Sequence, residues 1–162
     1  MNDNLHEKYI EKLLESTGRK HEILLEILRL TREQSAAINE DGIEKLEKLV
    51  LEKQGLIEQV DKLDEEFNAC FQHLKREVKV ESLDEMQVMK IEGLKELQEA
   101  VKQIIGLINE ISEIEKQNAD IARNLLHSFK NELMKINRSK LIKQAYGFNA
   151  AQSVSYFIDR KK

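Results

Sequence analysis

The sequence predicts an all-α fold: an elongated, antiparallel three-helix bundle with coiled-coil-like packing, ending in an aromatic, basic C-terminal tail. Three observations predict it. The 162-residue chain has no proline and only six glycines, so little interrupts a helix. Charged residues make up 35% and hydrophobic residues 41%, the balance of long helices and coiled coils. Apolar residues return every three or four positions, in three series separated by two short lapses. A chain of this size is one ordinary domain.

The first series runs through Leu5, Tyr9, Leu13, Leu14, His21, Leu24, Leu25, Leu28, Thr31 and Ile38, the stripe of an amphipathic helix over about residues 4–38. Asn39-Glu40-Asp41-Gly42 collects turn-forming residues, and Asp41 followed by Glu44 has the spacing of a capping box. A second helix over about 42–79 carries Ile43, Leu46, Leu49, Val50, Leu56, Ile57, Val60, Leu63, Phe67, Cys70, Phe71, Leu74 and Val78. The pattern lapses near Val80, and Ser82 with Glu85 offers another capping box before Met86 and Met89.

The third helix, over about 83–138, is the most regular. Leu94, Leu97, Val101, Ile104, Ile108 and Ile111 alternate steps of three and four, a heptad seam. A second step of three then leads to Ile114, which resembles a stammer, and the series resumes through Asn118, Ile121, Leu125, Phe129, Leu133 and Ile136. Asn118 on the seam is a candidate register-fixing residue. Connections this short force neighbouring helices to run antiparallel. The expected division is a bundle over 1–138 and a tail over 139–162.

The tail departs from the rest in both charge and aromatic content. Residues 138–162 carry six basic side chains against Asp159 alone, a balance of +5, whereas the remainder has 20 basic and 29 acidic groups, or −9. An acidic body argues against nucleic acid as a partner, because phosphate attraction needs a net basic face. Four of the eight aromatic residues (Tyr146, Phe148, Tyr156, Phe157) fall in the last 17 positions. Solubilising tails avoid large rings, so this one is read as built for contact. Gly147 can end the long helix, and Asn149 with Gln152 can cap a short last one that places Ala151, Val154, Phe157 and Ile158 on a shared face.

Cys70 is the only cysteine, which excludes an intrachain disulfide and fits a reducing compartment. The N-terminal fifteen residues mix charge with apolar side chains and do not read as a signal peptide, and no segment approaches the ~20 apolar residues of a membrane span. A cytoplasmic protein is expected.

Enzyme chemistry has no foothold. The Glu-x-x-His pair of di-iron bundles is absent, since His6, His21, His73 and His127 follow Asp3, Gly18, Cys70 and Asn124 at that spacing. Cys70 and His73 supply two ligands where a structural metal site needs four. The glycines stand singly, with no phosphate-binding loop, and no serine sits in a nucleophile elbow. No cofactor, metal or catalytic residue is expected. Carboxylates such as Glu44 are read as i, i+4 partners of lysines such as Lys48.

Leu24-Leu25, Leu28, Leu30-Thr31, Gln34, Ala37-Ile38, Asp41, Leu46, Leu49, Glu52-Lys53-Gln54, Leu56-Ile57, Val60 and Leu63-Asp64 resemble the FlgN family of bacterial flagellar export chaperones. Ala145-Tyr146-Gly147 and Tyr156-Phe157-Ile158-Asp159 followed by Lys161 look like that family's C-terminal end. The resemblance implies a cytoplasmic chaperone that holds hook-filament junction (hook-associated) proteins unassembled and delivers them to the flagellar type III export apparatus. It implies that a client's C-terminal helical segment is held by the chaperone's C-terminal region. Carried onto this chain, the partner-binding residues are Leu125, Leu126, Phe129, Leu133 and Ile136, with Leu141, Ile142, Tyr146, Phe148, Phe157 and Ile158. It further suggests that a tail tyrosine, Tyr146 or Tyr156, docks on the export gate.

Periodicity alone leaves two other readings open. One is a structural coiled-coil scaffold that homodimerises through the third helix. The other is weak attraction of the basic tail to an anionic membrane, which the family reading makes only indirect.

Overall fold

The computed structural model describes residues 2–39, 41–86 and 90–145. They form α1 (Asn2–Ala37), α2 (Ile43–Val78), a four-residue α3 (Leu83–Met86) and α4 (Leu94–Ala145), with no strand among the described residues. The chain divides into two compact units, residues 1–118 and 119–162. No helix among the described residues is long and apolar enough to cross a membrane.

In the first unit, contacts between α1 and α2 fall in reverse order along the two helices. The Cys70 thiol donates to the Tyr9 carbonyl at 3.5 Å, Ser16 Oγ to the Leu63 carbonyl at 3.3 Å, and Lys53 Nζ to Gln34 Oε1 at 2.7 Å. α1 and α2 are therefore antiparallel. Residues 94–118 of α4 run in the direction of α1: Leu97 shares a core cluster with Ile10 and Leu13, Ile104 one with Leu24 and Ile27, and Asn118 reaches Thr31.

The turn between α1 and α2 is organised by Asn39. Its Nδ2 donates to the Ala36 carbonyl at 3.1 Å, and its Oδ1 accepts the Asp41 amide at 2.9 Å. The capping role expected of Asp41 is not taken up: Gly42 is the N-cap of α2, without a side-chain cap hydrogen bond. The chain passes so tightly here that a Cβ on Gly42 would meet the Ala37 carbonyl oxygen at 2.0 Å. α2 ends in a left-handed residue, Lys79 at φ 56°, and the Val80 amide returns to the Lys75 carbonyl at 3.3 Å, a Schellman-type closure.

The expected helix over 83–138 is interrupted near its start and runs further at its end. Ser82 and Glu85 do act as a cap, with the Glu85 amide donating to Ser82 Oγ at 3.3 Å and the Glu81 amide to Glu85 Oε2 at 2.8 Å, but the helix they start is α3 alone. Lys90 and Gly93 then adopt positive φ (51° and 83°), which ends any continuous helix and lets α4 begin at Leu94. Gly93 also packs against α1, where an added Cβ would sit 2.8 Å from Ile10 Cγ2. With no proline in the chain and no glycine after Gly106 until Gly147, α4 continues past 138 to Ala145.

Three apolar clusters form the core of the first unit. One joins Ile10, Leu13, Leu74, Met86, Leu94 and Leu97, so all four helices meet in it. The second and third follow α1 towards the α1–α2 turn, around Leu24, Ile27 and Ile104, then Leu30, Ala37 and Leu49.

A polar layer lies among the same helices. Thr31, Gln34, Lys53 and Asn118 are all buried. Lys53 is only 8% exposed, hydrogen-bonds Gln34 and pairs with Glu115. Burial holds its ammonium below the ordinary lysine pKa. Asn118 Nδ2 donates to the Thr31 carbonyl at 3.1 Å, and Asn118 Oδ1 accepts from Ser35 Oγ at 2.6 Å. The seam asparagine thus ties α4 to one position along α1, because sliding by a turn would strand both of its polar ends. Asn118→Ala is expected to lower the unfolding free energy by about 1–3 kcal/mol, since buried partners lose their mates. Urea titration followed by circular dichroism tests this, and an unchanged midpoint would remove Asn118 from any register role.

Candidate partner-binding surface

Residues 119–145 of α4, the described part of the second unit, form a helix with a partly exposed apolar row. No proline or glycine breaks this stretch, and Asp120 pairs with Arg123 at 3.0 Å across one turn. None of its residues is buried. Leu126, Leu133 and Leu141 are 54%, 52% and 64% exposed, while Leu125, Phe129 and Ile136 are half-buried. Ile142 is also exposed.

The spacing decides which of these share a face. Ala122, Leu125, Phe129, Leu133 and Ile136 follow steps of three, four, four and three, so they line one side of the helix over about 21 Å. Leu126 flanks that line. Leu141 and Ile142 lie off it, so the structure does not join them to the same row. Exposed Ile121 and Met134 were not among the residues expected to bind; Ile121 flanks the row, and Met134 lies on the side of the helix that carries Leu141. Ile121 was legible as a member of the seam; Met134 falls outside the three-four series and has no periodic signal. Tyr146, Phe148, Phe157 and Ile158, together with Tyr156 and the expected short last helix, lie outside the described residues.

An apolar row of this kind can hold a partner helix by burying side chains at i, i+3, i+4 and i+7 spacing. It carries no chemistry for bond making. Among the described residues, no group of three or more His, Cys, Asp or Glu side chains is placed to hold a metal ion. Cys70 sits half-buried beside a cavity of about 450 Å³ that Tyr9 and His73 also line, with their rings stacked at 6.2 Å. Burial pushes the Cys70 thiol pKa up, with Lys12 opposing, so the thiol stays protonated near neutral pH and is a weak nucleophile.

The family model described as FlgN protein matches residues 1–153 of the chain. No curated protein and no solved structure matches it. The matched segment includes both the buried polar layer and the whole apolar row of α4.

Proposed function

The chain belongs to the FlgN family of flagellar export chaperones, and we propose that it acts in the cytoplasm on hook-filament junction proteins. In this reading it binds their C-terminal helical segment, prevents premature assembly and delivers them to the flagellar type III export apparatus. The observation that carries the proposal is the apolar row of α4 inside the family-matched segment, on which Leu133 and the flanking Leu126 are more than half exposed while Leu125, Phe129 and Ile136 are half-buried. Isolated exposed leucines are common, but exposed leucines on and beside an apolar row at helical spacing invite a partner.

A client segment that is apolar and unpaired would self-associate. Covering it with a helix face blocks that and leaves the rest of the client unfolded for export. Nothing in this action needs ATP, and release follows from competition at the gate. Residues 139–162, with Tyr146 foremost, are assigned to the partner-binding end, where Tyr146 contacts the gate.

The test combines light scattering with an export assay. The full chain mixed with a recombinant C-terminal segment of a hook-filament junction protein should form a complex of one chaperone with one client. Tyr146→Ala should keep that complex and lower export. A chaperone that never binds any such segment, yet forms a stable homodimer, would instead establish the scaffold reading. Joint loss of client binding and export in Tyr146→Ala would move Tyr146 from the gate to the client.

A further inference from the structure

We propose that the outer face of α2 is a docking surface for a helix of another protein, one that carries lysine or arginine beside its apolar stripe. Ile43, Val50 and Ile57 recur every seven residues, so they form one row about 21 Å long. All three are exposed, Ile43 by 58%, and Leu51 beside the row is exposed by 73%. Leu46, Lys53 and Val60, three positions after each row residue, are buried or half-buried. One edge of the row therefore adjoins the bundle interior, and only the other is open to the flank of a partner.

That open edge is acidic. Glu47, Gln54 and Asp61 come four positions after the row residues, and Glu44, Leu51 and Glu58 one position after, all of them exposed. Lys45, Lys48 and Lys62 lie further round the helix, two or five positions on. Glu44, Glu47, Glu58 and Asp61 make no ion pair among the described residues, so Glu44 does not take Lys48, the partner expected for it. Four uncompensated carboxylates beside an apolar row attract cationic side chains and repel acidic ones. The same charges disfavour two other occupants. Pairing with α2 of a second copy would set acid against acid, and an anionic lipid surface would be repelled. The structural alternative is that these apolar residues are merely tolerated in water, as scattered ones are. Four of them together along one acidic edge are not scattered.

The surface shares no residue with the α4 row, so one experiment can separate the two. Three capped synthetic helices of about 18 residues carry the same leucine stripe and differ only in having Lys, Gln or Glu along both of its flanks. Binding to the full chain is read by fluorescence anisotropy. The Lys peptide should bind roughly three- to tenfold more tightly than the Gln peptide at low salt, with the Glu peptide weakest and the preference fading as salt rises. The Glu44→Gln/Glu47→Gln/Glu58→Gln/Asp61→Asn variant should lose the preference. Val50→Gln/Ile57→Gln should weaken the Lys peptide about tenfold. Both variants should keep the parent's helicity, because all six positions are exposed. Phe129→Ala/Leu133→Ala should leave Lys-peptide binding intact. Equal binding of the three peptides, or no binding of the Lys peptide, would overturn the proposal. So would a preference that survives in the carboxylate variant. Binding lost in the Phe129/Leu133 variant and kept in the Val50/Ile57 variant would overturn it in favour of α4. Self-association that the carboxylate variant abolishes, without preference among peptides, would overturn it in favour of the basic residues 138–162 of a second copy.

Discussion

Leu97→Ala is expected to lower the unfolding free energy by about 2–5 kcal/mol, the range for removing most of a buried leucine. Leu97 is 0% exposed and sits in the cluster where α1, α2, α3 and α4 meet. Its neighbours Ile10, Leu13, Leu74 and Met86 come from three other helices, so the cavity cannot close by shifting one element. Cost rises with the volume left unfilled. Ile105→Ala, eight positions along the same helix and exposed, is the control and should stay within about 0.5 kcal/mol. Chemical denaturation of both variants measures the contrast; similar midpoints would mean that this cluster does not hold the bundle together.

Phe129→Ala combined with Leu133→Ala should have the opposite profile. Leu133 is exposed and Phe129 half-buried, both lie outside the three core clusters of the first unit, and alanine is the best helix former, so melting should hardly move. Client affinity should fall about 30-fold or more, the 2 kcal/mol typical of losing an interface anchor. Calorimetric titration with a client segment reads the affinity, and scanning by circular dichroism reads the fold. A double variant that binds as well as the parent would remove the row from the proposed function. One that melts early would show that the row is part of a core.

Much of the secondary structure was legible because it depends on local chemistry. The first two helices were expected over 4–38 and 42–79 and span Asn2–Ala37 and Ile43–Val78, since both the apolar period and the Asn39–Gly42 turn are properties of consecutive residues. The row on α4 was legible for the same reason. Residues 125, 129, 133 and 136 share a face by helical geometry, whatever surrounds them. The short last helix expected in the aromatic tail lies outside the described residues.

Tertiary structure decided what spacing cannot. A single helix was expected from residue 83 onward, yet Lys90 and Gly93 turn with positive φ, α4 begins at Leu94, and Gly93 passes close to Ile10 of α1. Ile43, Val50 and Ile57 sit on the apolar stripe of α2 but are exposed, whereas Lys53, a charged residue, is buried on the same helix. A stripe states which face of a helix is apolar, not which edge of that face its neighbours will cover. The edge is set by where α1 and α4 lie, and Lys53 is tolerated there because Gln34 from one and Glu115 from the other meet its ammonium. Burial of a charge depends on partners 19 and 62 positions away in the chain, and that distance is crossed only by folding.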